Sequence, residues 1–175
     1  MQALYEGDLE RARQLLPRDE QLTVFEAAAF GRVERLRELL RADESCATAF
    51  SDDGFTALHL AVYAEQKEAA RVLLDAGAGV NVRSTGEVVR VPPLGTAAFV
   101  RSVALARLLL DAGADVNGGE VEGFTALHSA AQNGDIELAR ELLARGADPG
   151  ARTAAGRTPA DLAAGEEMRR LLAGA

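Results

Sequence analysis

The chain has 175 residues, of which 48% are apolar, 26% charged and only 5% aromatic, with no Trp and a net charge of −8 at pH 7. That acidity excludes a surface built to neutralise nucleic-acid phosphates or to dock on anionic lipid, since both need exposed Lys and Arg. The apolar half is drawn mainly from Ala (35 residues), Leu and Val, which suits closely packed helices.

A single cysteine, Cys46, allows no internal disulfide, and no apolar run reaches the length of a membrane span. The first residues, MQALYEGDLERAR, carry acids where a secretory leader has a basic start and an apolar stretch. These features lead to the expectation of a cytoplasmic protein. Of the 19 basic residues only Lys67 is a lysine, a bias that points to a GC-rich, bacterial genome.

In chain order, Gly7–Leu16 (GDLERARQLL) has the pattern of a helix whose preceding partner is incomplete, since Met1 falls three residues inside it. Next, LTVFEAAAFGRVERLRELL (22–40) opens a motif with Leu22 in the starting position. GFTALHLAVYAEQKEAARVLLDAGAGVN (54–81) repeats it from Thr56, and VPPLGTAAFVRSVALARLLLDAGADVN (91–117) from Pro92. GFTALHSAAQNGDIELARELLARGADPG (123–150) repeats it from Thr125, and GRTPADLAAGEEMRRLL (156–172) from Thr158. The starts are 34, 36, 33 and 33 residues apart, so the chain is an array of one structural unit.

Each unit reads as a turn, a short helix, a tight reversal, a longer helix and a loop. Thr before Ala or Pro is a helix start, because its hydroxyl caps free amides and Pro fits the first turn. The Ala pairs at 27–28, 97–98 and 130–131 allow close packing of the first helix, and Gly31 and Gly134 end it. The second helix carries apolar residues at helical spacing, such as Leu105, Leu108 and Leu109, and stops at Asp-Ala-Gly-Ala (75–78 and 111–114). Such pairs bury their apolar faces only by stacking.

Thr56-Ala-Leu-His59, Thr125-Ala-Leu-His128, Thr158-Pro159 and the stretches 108–117 (LLLDAGADVN) and 142–148 (LLARGAD) resemble the ankyrin repeat family, over essentially the whole chain. The resemblance implies an all-α solenoid of stacked helix-turn-helix units with short β-hairpin fingers, whose fingers and first helices line a concave face. It implies a partial N-terminal capping repeat at 1–19 and repeats at 20–51, 52–83, 84–119 and 120–152. A shortened capping repeat follows at 153–175.

Nothing in the pattern calls for catalysis, a cofactor or a metal. His59 and His128 both hold the fourth motif position, where a hydrogen-bonded structural role is expected, and they lie too far apart to share an ion. Cys46 has no neighbouring base to activate it. The acids sit three or four residues from arginines, as in Glu34/Arg37, Glu38/Arg41, Glu137/Arg140 and Glu141/Arg145, which reads as solvated helix pairs. The glycines mark turns rather than phosphate-cradling loops.

The aromatics are more informative. Tyr5, Tyr63 and Phe99 share one position late in the first helix, with Phe30 one residue beyond it, while Phe55 and Phe124 precede the capping Thr. In the family's pattern these places vary and face the concave side, where aromatic anchors dominate binding energy. Departures from the repeat cluster nearby. Glu65 and Arg101 replace the helix-ending Gly, Gly95 replaces the motif His, and the finger at 82–91 is three residues longer than its counterparts. Its turn is expected at Ser84–Glu87, with Val88, Val89 and Val91 extended.

The expected role is non-catalytic binding of a protein partner through Phe55, Tyr63, Arg83, Arg90, Phe99, Phe124 and Gln132. Asp52, Asp53, Glu120 and Glu122 form acidic finger tips that suit a partner carrying a basic patch. Two other readings are an inhibitor or immunity factor that occludes a partner enzyme, and self-association through apolar surface such as Leu4 and Leu15 of the incomplete first repeat. A monomer or a weak self-associate is expected, without nucleic acid or membrane.

Overall fold

Among the described residues the longest helix has 10 residues, too few to persist alone in water, so every helix depends on what packs against it. The structure, a computed structural model, describes residues 18–86, 90–120 and 122–175. Within them lie ten α-helices: α1 (Val24–Ala29), α2 (Val33–Ala42), α3 (Ala57–Tyr63), α4 (Lys67–Asp75), α5 (Pro93–Phe99), α6 (Val103–Asp111), α7 (Ala126–Asn133), α8 (Ile136–Ala144), α9 (Pro159–Leu162) and α10 (Gly165–Ala173). Two short 3-10 turns lie at Asp19–Gln21 and Glu44–Ala47. The expected helix at 7–16, with Tyr5, Leu4 and Leu15, lies outside the described residues.

Contacts divide the chain into two units, Met1–Gly79 and Val80–Ala175. In the first, α1 packs on α3 and α2 on α4, while each odd-numbered helix also packs on the even-numbered one that follows it. In the second, α5, α7 and α9 form one layer in succession, and α6, α8 and α10 contribute a second. Odd-numbered helices meet through alanines: Ala27, Ala28, Ala57 and Ala61 in the first unit, and Ala97, Ala98, Ala130 and Ala131 in the second, are fully buried. Leucines fill between the layers (Leu36, Leu58 and Leu73; Leu105, Leu109, Leu138 and Leu142), each worth about 1.5–3 kcal/mol of burial.

Helix starts follow the Thr pattern with one shift. Thr56, Thr125 and Thr158 each exchange hydrogen bonds with the residue three positions on, His59, His128 and Asp161. In the first copy Leu22 is buried at the position held by Thr56, Thr125 and Thr158, and the cap passes to Thr23, which pairs with Glu26. In the third copy Pro92 holds that position with no side-chain cap. A leucine has no oxygen to offer and the next residue, Thr23, has one, so α1 begins one residue later and has only six residues. By contrast, α5 starts directly after Pro92 with a proline in its first turn.

The reversal between paired helices is closed identically in four places. Arg32, Gln66, Ser102 and Asp135 donate their N–H groups to the carbonyls of Ala27, Ala61, Ala97 and Ala130 at 2.8, 2.8, 3.0 and 2.9 Å. The residue before each donor must be left-handed. Gly31 (φ 65°) and Gly134 (φ 66°) adopt this freely, whereas Glu65 (φ 58°) and Arg101 (φ 59°) are held there against side-chain crowding.

The fingers are tighter than hairpins of named strands. Ser51, Glu120 and Thr153 donate their N–H groups to the carbonyls of Phe55, Phe124 and Arg157, four residues on, at 2.8, 2.9 and 2.9 Å. Among the described residues the only β-type pairing outside strands is an isolated bridge between Phe50 and Thr56. The longer finger closes from Ser84 N–H to the Val91 carbonyl, seven residues on, at 3.0 Å, which matches its three extra residues. Glu87, Val88 and Val89 lie outside the described residues.

In the second unit an asparagine in each loop clips one repeat to the next. Asn81 donates to the Gly113 carbonyl (3.1 Å) and accepts from Asp115 N–H (2.8 Å). Asn117 does the same with Gly146 (3.2 Å) and Asp148 (2.8 Å).

The strain at Glu65 is testable because its side chain is exposed and the backbone geometry is kept. Glu65→Gly is expected to raise stability by about 1 kcal/mol, read as a higher urea midpoint at unchanged slope. A lower midpoint would show that the Glu65 side chain contributes more than its left-handed backbone costs.

Candidate protein-binding surface

The two histidines belong to the scaffold. His128 is buried, and its Nδ1 accepts from Thr125 N–H at 3.1 Å, which leaves the ring proton on Nε2 to be donated to the Arg157 carbonyl at 3.1 Å. The ring therefore ties the start of α7 to the finger of the next repeat. Burial pushes its pKa below the ordinary histidine value, partly offset by its backbone hydrogen bonds. His59 is bound in the same way to Thr56 through Nδ1. Cys46 is half-buried, and burial, aided by Asp43, raises its thiol pKa. Among the described residues no group of three or more His, Cys, Asp or Glu is placed to hold a metal ion. No described helix is long and apolar enough to cross a membrane.

In the first unit, Phe55 is half-buried, edge-on to His59 with ring centres 6.0 Å apart. With Phe25, Phe30 and Tyr63 it packs against Ala29, Leu60 and Ala64. Asp52 and Asp53 are exposed at the finger tip, where the Ser51 hydroxyl donates to Asp53 and accepts from Phe55 N–H at 3.1 Å. Phe50, which repeat comparison does not single out, is 43% exposed.

In the second unit Phe99 ends α5 and is 69% exposed, more than any other large apolar residue described. Gln132 is exposed on α7, Glu122 is exposed, and Phe124 is half-buried, tilted over His128 at 5.3 Å. Glu120 differs from the acidic tip expected of it. It is half-buried, its carboxyl lies 3.8 Å from where a Cβ on Gly95 would sit, and burial raises its pKa. Arg83 and Arg90 are exposed and, with Ser84 and Thr85, line an open pocket of about 500 Å³. The Glu122 carbonyl accepts from Ala154 N–H at 2.7 Å, so neighbouring fingers are joined through backbone.

Charge on the even-numbered helices is largely self-neutralised. Glu34–Arg37 and Glu141–Arg145 pair as their spacing predicts, at 2.7 and 3.2 Å. Glu38 instead pairs with Arg35, and Glu137 with Arg107 of the preceding repeat. Arg107 also meets Glu141 at 2.7 Å, and Arg145 meets Asp111 at 2.8 Å, so α6 and α8 share one ion-pair network. A 33-residue period brings residues of adjacent repeats as close as those one helical turn apart, which within-helix spacing does not reveal.

Two family models for ankyrin repeats match residues 1–84 and 109–163. The chain belongs to the ankyrin repeat family. It is 36% identical over 174 residues to ankyrin repeat and SOCS box protein 3 of Bos taurus, covering 93% of this chain and 33% of that protein. It is 36% identical over 127 residues to the tyrosine-protein kinase Shark of Drosophila melanogaster, covering 72% and 13%. It is 39% identical over 125 residues to the B-cell lymphoma 3 protein of Homo sapiens, covering 70% and 26%. The chain thus spans a third or less of each of these curated relatives. Ankyrin repeats are in general protein-interaction modules, and these similarities agree with that general role.

The state of His128 sets a pH dependence. With its native pKa below the unfolded value, the unfolded chain takes up a proton that the native ring resists. Stability is therefore full above about pH 7 and falls as pH drops through about 6.5. Urea midpoints of wild type and His128→Gln, compared from pH 8 to 5.5, are expected to show this extra loss only in the wild type. Parallel curves would contradict the assignment.

Proposed function

We propose that this chain is a non-catalytic module that binds a protein partner through the face made by its fingers and odd-numbered helices, the concave face of its family. The observation that supports this most is Phe99, a large ring left 69% exposed at the end of a first helix whose other face is fully packed. A phenylalanine ring so largely open to solvent is available to a partner, and buried aromatic anchors dominate interface energies. Gln132 holds the same register one repeat later, and Tyr63 one repeat earlier. Phe55, Phe124, Arg83 and Arg90 are proposed as flanking contacts, with Asp52, Asp53, Glu120 and Glu122 favouring a partner that carries a basic patch. We place the protein in the cytoplasm, on its single cysteine and its lack of a long apolar run. The repeat boundaries given above are proposed as the folding units.

The partner is sought by affinity capture from the source lysate and then purified for titration calorimetry. Phe99→Ala is expected to weaken binding by about 2 kcal/mol, roughly thirtyfold, with the unfolding midpoint held within experimental error because the ring is exposed. Undiminished affinity of the purified partner for Phe99→Ala would overturn the assignment of this surface.

A further inference from the structure

The first unit contains an open groove of about 570 Å³ lined by Thr23, Phe25, Glu26, Phe50, Ser51, Asp52 and Asp53. It joins the start of α1 to the finger that precedes α3. Its apolar wall is two phenylalanines, one half-buried and one 43% exposed, and its rim carries three carboxylates and no basic residue. The carboxylates alone would be an ordinary solvated tip. The two rings give them a floor. The Phe50 backbone is pinned by its bridge to Thr56. Glu26 is held by its bonds to Thr23 N–H and hydroxyl, both at 2.9 Å and both to the same oxygen, so its second oxygen is not used in the cap. Among the described residues the exposed Asp52 side chain makes no hydrogen bond or ion pair.

We propose that this groove takes an arginine side chain from the partner protein, its guanidinium lying on the phenylalanine faces and its N–H groups donating to Asp52 and Glu26. Arginine suits the site better than lysine, because a planar guanidinium stacks on a ring and presents several donors in a fixed fork. The inference rests on the interaction-module reading and gives it a chemistry, since it names which residue of a basic segment is read and where. It also gives a role to Phe50, which stands outside the repeated block and is left 43% exposed. In the second unit the places of Phe50 and Asp53 are taken by Gly119 and Glu122, so a ring at this point is particular to the first finger.

The test uses the whole chain and needs no partner. A seven-residue Gly/Ser peptide with a central arginine is titrated and followed by amide and aromatic NMR shifts, beside the same peptide carrying citrulline, which keeps the shape and loses the charge, and one carrying lysine. Saturable shifts at Phe25, Phe50 and Asp52 are expected, with citrulline and lysine at least fivefold weaker. Phe50→Ala and Asp52→Asn should each weaken the arginine peptide at least fivefold. Asp52→Asn changes only an exposed side chain, so it remains informative if Phe50→Ala perturbs the finger. Equal binding of citrulline or lysine, shifts spread over the acidic helix surfaces, or affinities unmoved by both substitutions would overturn the proposal. Failure here with Phe99→Ala still weakening partner binding would remove the groove alone. Loss of the effect of Phe99→Ala would remove the broader reading.

Discussion

The second unit rests on backbone groups that one repeat leaves open and the next repeat closes. A four- to ten-residue helix has most of its end amides and carbonyls unpaired, and a five-residue finger has few internal bonds to offer. In the second unit the His128 ring reaches from a helix cap to the next finger's carbonyl, while Asn81 and Asn117 each bridge a donor and an acceptor one repeat on. These contacts are short, polar and directional. They set the register that lets alanine faces meet closely, and the apolar burial then supplies the bulk of the stability.

That division of labour explains where the surface is free to vary. The even-numbered helices neutralise their charge among themselves through Arg107, Arg145, Glu137 and Glu141. The reversal keeps its left-handed residue even where the sequence supplies Glu65 or Arg101, because the following N–H must reach a carbonyl in the first helix. Several side chains at the finger tips and in the last turn of the first helices carry no such duty. Exposed rings and unneutralised acids are found there, at Phe50, Phe99 and Asp52.

Much of the fold was legible because repetition averages out local ambiguity. The Thr caps, the reversals and the three-residue extension of one finger all follow from aligning the chain with itself. The cap at Thr23 was not, because Leu22 keeps the spacing of the buried position while lacking the oxygen a cap requires. The clips of Asn81 and Asn117 and the pairing of Glu137 with Arg107 join residues about one repeat apart, a distance that within-helix spacing ignores. On the candidate surface, the exposure of Phe99 fits its variable position. Phe50 escaped notice because it precedes the repeated block, and Glu120 looks like a tip residue in the sequence, whereas the fold half-buries it.

The claim that neighbouring repeats complete one another's backbone is tested most directly by native-state hydrogen exchange of the Asp148 amide, whose N–H is held by the Asn117 side chain. In Asn117→Ala, loss of a bond worth about 1 kcal/mol should speed exchange at Asp148 roughly fivefold or more. The equivalent Asp115 amide, held by Asn81, should exchange at its former rate. Unchanged protection at Asp148, or an equal loss at both amides, would contradict the account.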